Sequence, residues 1–125
     1  MIHASFIVGQ LLFAGVTFFT VRPNREAPTP IEPPMLYLIF GAALAACALS
    51  LVLRQQVPRR SRETSPDLFW QSAGPKAMVA WFPLEAAGLF ALVQYFQTAN
   101  PVAVAAAALP VGLLVVLNPW VLERP

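Results

Sequence analysis

Few side chains in this sequence can do chemistry inside an apolar environment, and the first of them is Glu85. It stands about eight residues into the run Ala77–Gln97, which holds no other charged side chain. An ionised carboxylate at the centre of a membrane helix costs at least ~2.5 kcal/mol on insertion scales. The cheaper states are a neutral, protonated acid or an acid hydrogen-bonded to a neighbouring helix. Two roles follow, and residue type alone leaves both open. One is a reversible proton or cation site, the usual use of intramembrane acids. The other is an inter-helix lock, worth roughly 0.6–2 kcal/mol.

Depth nominates partners for that acid. At a rise of about 1.5 Å per residue, Gln10 in the first apolar run and Cys47 in the second reach the layer of Glu85. Gln10 is the candidate hydrogen-bond partner, because its amide N–H can donate to a carboxyl oxygen. Cys47 is read as a small packing residue. Pro83 removes one backbone N–H two residues before Glu85 and disturbs the carbonyl of Val79. Pro110 does the same to the carbonyl of Ala106. His3 is placed at the membrane edge, as an interfacial residue with no assigned role. One Cys and one His cannot build a zinc site or an internal disulfide. No nucleophile–base pair, phosphate-binding loop or HExxH motif occurs, so no catalytic residue, cofactor or metal is expected.

The elements that must position these residues follow from composition. The chain has 125 residues, of which 58 % are hydrophobic and 11 % charged. A soluble domain carries about 25 % charged residues. So few cations cannot track a nucleic-acid backbone, and so apolar a chain does not stay disordered. Four apolar runs, at roughly 2–21, 35–53, 77–97 and 102–122, are each close to the ~20 residues that span a hydrocarbon core as a helix. The runs lack the alternation of a membrane β-barrel strand. The expected fold is therefore all-α, a transmembrane bundle of four helices in one domain. The first run ends in Phe18-Phe19-Thr20-Val21-Arg22, not in a small-residue cleavage site, and is kept as a helix rather than a signal peptide.

The connections set topology. Residues 22–34 hold Pro23, Pro28, Pro30, Pro33 and Pro34 and are expected to be extended. Residues 54–76 read as a basic cytoplasmic loop, with Arg54, Arg59, Arg60, Arg62 and Lys76 against Glu63 and Asp67. The short link Thr98–Pro101 makes an antiparallel hairpin of the third and fourth helices. Cation bias places Arg54, Arg59, Arg60, Arg62, Lys76 and Arg124 on one side, and Arg22 and Arg25 on the other. Both termini are then cytoplasmic. Trp81 and Trp120 are assigned as interface anchors on the inner side, and Tyr37 and Tyr95 on the outer. Small residues at Gly41–Ala48, Ala86–Gly88 and Ala103–Ala108 allow close helix packing, either within the bundle or in self-association.

The segment Phe82-Pro83-Leu84-Glu85-Ala86-Ala87-Gly88-Leu89-Phe90-Ala91-Leu92-Val93, followed by Ala99-Asn100-Pro101, resembles the carboxylate helix of the proteolipid (c-type) subunit of rotary ATP synthases. The resemblance implies that Glu85 matches the ion-carrying acid, with Phe90 and Ala91 at the Tyr and Gly positions. It covers about twenty residues. The chain departs from that family in its four helices, its longer polar connection and the lack of a strict Gly repeat. Over its full length it looks like the small four-helix membrane proteins of bacteria with uncharacterised function, a resemblance that implies no activity.

These readings converge on a non-enzymatic protein of a bacterial inner membrane, acting as an oligomeric or accessory component with Glu85 as inter-helix lock. The alternative is a proteolipid-like proton or cation carrier that uses Glu85 reversibly. The expected partners are the lipid bilayer and a second copy or a larger membrane complex, not nucleic acid.

Overall fold

The computed structural model describes residues 2–24 and 27–122, without the side chains of Ile2 and of residues 22–24. Arg22, Arg25 and Arg124, used above to set topology, lie outside the described side chains.

Proline opens most of the helices. α2 (Pro33–Arg54), α3 (Pro66–Thr98), α4 (Pro101–Val116) and the short α5 (Pro119–Leu122) each begin on one, whereas α1 spans Ile2–Asn24. Proline suits the first helical position because its missing N–H has no partner there and its φ is already helical. Caps complete the signal. Ser65 Oγ accepts from the N–H of Leu68 at 3.4 Å, and Asn100 Oδ1 accepts from Val102 at 3.1 Å. Asn118 serves two helices, since its Nδ2 donates to Val115 O (3.1 Å) and its Oδ1 accepts from the N–H of Val121 (3.0 Å).

Two helix boundaries differ widely from expectation, and α1 also continues helical to Asn24, into the start of the stretch expected to be extended. The third helix starts at Pro66 rather than near residue 77, so the lower half of the expected polar loop is helical. Its first turns carry a buried face of Phe69, Ala73 and Ala77 at helical spacing, which outweighs the polar Gln71, Ser72 and Lys76 on the other faces. Pro75 and Pro83 both sit inside this helix. The fourth helix does not run to residue 122 but breaks after Val116, because Pro119 supplies no N–H and disfavours helical backbone at Asn118.

α1, α2 and α3 are long and apolar enough to cross a membrane. α4, with 16 residues, is a shorter apolar helix. α3 is the central helix. α2 and α4 both pack extensively along it and against each other, while α1 lies on α3 with a slight contact to α4. α2 runs antiparallel to α3, since Ser50 meets Ala80 near one end while Ile39 joins Ala91 near the other. Two apolar clusters lie along α3. One gathers Phe69, Ala73, Ala77, Trp81 and Leu84 with Leu114 and Leu117; the other gathers Ala91, Leu92 and Tyr95 with Ile39, Ala103 and Ala106.

The α3–α4 link turns on Ala99, the one described non-glycine residue with positive φ (55°), whose N–H donates to Tyr95 O at 2.7 Å. The chain between α1 and α2 is pinned there too. Thr29 donates its N–H to Thr98 O (2.7 Å) and accepts from Asn100 Nδ2 (3.3 Å). The opposite end of the bundle collects Arg54, Arg59 and Lys76.

Solvent preference is inverted along α1. Its buried side chains include His3, Gln10 and Thr17, whereas Leu11, Leu12, Val16 and Phe19 are exposed. That distribution suits a helix bathed in lipid, where apolar groups have no reason to turn inward.

Candidate functional site

His3, Gln10 and Thr17 recur every seven residues, which places them on one stripe of α1, and that stripe faces the bundle. The His3 ring meets Trp81 edge-on at 4.6 Å between centroids, and the Gln10 amide lies against Gly88. The same seven-residue step separates the contacts on both helices, so α1 and α3 run parallel in register. Sequence reading missed this seam. Its signal is the spacing of seven, which sets the phase of His3; position at the end of an apolar run does not.

The seam's lower end closes the C-terminus of α4. Past the last helical turn, carbonyls lack intrahelical donors. His3 Nε2 lies 2.8 Å from Leu114 O, and Trp81 Nε1 donates to Leu117 O at 2.9 Å. Three helices are thereby tied together by side chains satisfying backbone groups. His3 is thus a buried latch, not a loose interfacial residue. Trp81 is likewise a core residue at 4 % exposure, and Tyr95 is buried in the other apolar cluster. Of the four expected interface anchors only Tyr37 and Trp120, 76 % and 77 % exposed, present their rings outward.

The middle of the seam is left open in hydrogen-bonding terms. Gln10 is 1 % exposed, and neither Nε2 nor Oε1 has a hydrogen-bond partner. The expected Gln10–Glu85 hydrogen bond is therefore not formed. The physical reason is register: Gln10 sits level with Gly88, one turn beyond Glu85, where the absence of a side chain leaves room for the amide. A Cβ at Gly88 would stand 2.5 Å from Gln10 Oε1. Glu85 is half-buried on α3 and makes no hydrogen bond or ion pair among the described residues. It falls in the gap between the two apolar clusters.

Cys47 does reach the depth of Glu85 but from another side. It packs against the cluster containing Trp81 and Leu84, on α2, which shares no substantial interface with α1. The free thiol is a packing group there. Near Pro83, the buried Ser50 donates its hydroxyl to Ala80 O at 2.5 Å, beside the Val79 carbonyl that proline deprives of its helical donor. Among the described residues no three His, Cys, Asp or Glu side chains gather in metal-binding geometry.

No protein-family model, curated protein or solved structure matches this chain. Chemistry at the site therefore rests on its own geometry: an unbonded carboxyl, an unbonded amide one turn away, and a helix held to the rest by a polar stripe.

Proposed function

We propose that this chain is a non-enzymatic, four-span protein of a bacterial inner membrane that works as a subunit or accessory of a larger membrane assembly. In this reading Glu85 is an inter-helix lock made between chains rather than within one. The observation that carries it is the half-buried Glu85 carboxyl without a hydrogen bond or ion pair among the described residues. In lipid, an unpaired carboxyl is unfavourable, and a donor from a neighbouring chain relieves that cost. The small, exposed Ala86 beside it permits close approach of another helix. The basic end with Arg54, Arg59 and Lys76 is the cytoplasmic one by the cation rule, which puts both ends of the chain inside.

The test is the mass of the protein extracted in mild detergent, read by light scattering. The expected result is a species well above 13.6 kDa. Glu85→Leu should reduce it to monomer, and Glu85→Gln should preserve it because an amide still forms hydrogen bonds. A monomer in every preparation, membranes included, would overturn the reading.

A second reading has one specific support. The same unbonded, partly accessible carboxyl is in the state a reversible proton carrier requires, and its sequence surroundings resemble the proteolipid carboxylate helix. Proteoliposomes with a pH-sensitive dye inside discriminate. A carrier moves protons and loses this on Glu85→Gln with the assembly intact, since an amide cannot release a proton.

A further inference from the structure

At the basic end a cavity of about 770 Å³ opens between the foot of α2 and α5. Arg54, Gln55 and Arg59 supply its polar wall, while Leu51, Val121 and Leu122 supply apolar surface. We infer that this cavity binds the phosphodiester headgroup of an anionic phospholipid, with an acyl chain running along Leu51 and α5.

The cavity is built by anchored backbone. Three consecutive turn hydrogen bonds, from Gln55 to Val52 O, from Gln56 to Leu53 O and from Val57 to Arg54 O, fold the chain back at the end of α2. Val57 then plugs into the apolar cluster at 9 % exposure, so Arg59, two residues on, lines the same cavity as Arg54. The opposite wall is fixed by Asn118, which caps α5. Neither Arg54 nor Arg59 has an ion pair or a hydrogen bond from its guanidinium among the described residues. Two guanidinium groups in one cavity match a phosphodiester, which accepts paired N–H donors from arginine. Position selects the lipid source. Arg54 ends an apolar membrane-length helix, and Leu51, one turn earlier, is exposed on that helix. Basic pockets at that level, flanked by apolar helix surface, meet lipid headgroups. The inference needs the membrane location of the chain but not its role as subunit or carrier.

Native mass spectrometry of the detergent-solubilised protein tests it with phosphatidylglycerol, phosphatidylcholine or inorganic phosphate added separately. Retention of phosphatidylglycerol over phosphatidylcholine is expected, falling roughly tenfold or more in the double variant R54Q/R59Q. R62Q, outside the cavity, should retain the wild-type level. A photoreactive phosphatidylglycerol on the unmodified protein should cross-link within residues 51–59 and 119–122, whether or not the variants fold. Equal retention of both lipids, unchanged retention in the double variant, or adducts spread over all helices would overturn the proposal. Binding of inorganic phosphate with no preference for the lipid would overturn it in favour of a soluble anion site. Failure of the protein to float with vesicles would instead refute the membrane location.

Discussion

The two faces of α3 are built on opposite principles. Toward α2 and α4 it offers Ala73, Ala77, Ala91 and large apolar residues between them, and the partners answer with Ala43, Ala103 and Ala106, all fully buried or nearly so. Toward α1 it offers Trp81 and Gly88 to a stripe of His3, Gln10 and Thr17, with Glu85 one turn from Gly88. Lipid gives no hydrophobic drive for association, so helices are held by close van der Waals contact or by polar groups. The first face uses contact and is complete within the chain. The second uses polar groups and is not, since Gln10 and, one turn away, Glu85 have no hydrogen bond among the described residues. A region that is packed and self-sufficient carries stability. A polar region left incomplete is the place for a partner or a proton.

Substitutions that disturb the completed contacts and those that remove the unbonded amide should therefore differ in sign. The largest effect is expected at Ala106, fully buried in the α3–α4 contact. Ala106→Leu should destabilise by about 1–3 kcal/mol through overpacking, read from the unfolding midpoint in mixed detergent micelles. On the polar face, Gln10→Leu should do the reverse and stabilise the isolated chain by about 1 kcal/mol, because it removes a buried amide that has no partner. A loss of stability of that size would mean the amide is satisfied in the protein as measured. At the latch, Trp81→Phe leaves Leu117 O without its donor, and a loss of about 1 kcal/mol is expected in the same titration. The smallest effect belongs to the hairpin link. Ala99→Gly should raise stability by roughly 0.5 kcal/mol, because glycine adopts positive φ without the Cβ penalty.

The same contrast explains what could be read without coordinates. Apolar length gave away the helices on both faces, since a hydrocarbon core demands ~20 residues whatever packs against them. It misplaced the start of α3, because hydropathy weighs Gln71, Ser72 and Lys76 equally with the buried Phe69 and Ala73, and because Pro75 looks like a break. The capping signature Ser65-Pro66-Asp67 was the better guide. For the site, Glu85 stood out by charge alone, and Gln10 by depth. Their pairing failed because depth along two helices is known only to about a turn, and one turn separates Glu85 from the Gly88 notch that takes the amide. Whether a polar residue faces lipid or a neighbour is a matter of phase, and only the seven-residue step of His3, Gln10 and Thr17 encoded it.

Reaction of Glu85 with a hydrophobic carbodiimide, in native membranes and in the purified monomer, addresses the unfinished face most directly. The reagent attacks only a protonated carboxyl reachable from lipid, so any labelling must fall as pH rises. If a neighbouring chain completes the polar face, Glu85 is protected in the membrane and labelled once the chain is isolated, as peptide mass would show. Equal labelling in both preparations would contradict that account and leave Glu85 as a free, lipid-facing proton site.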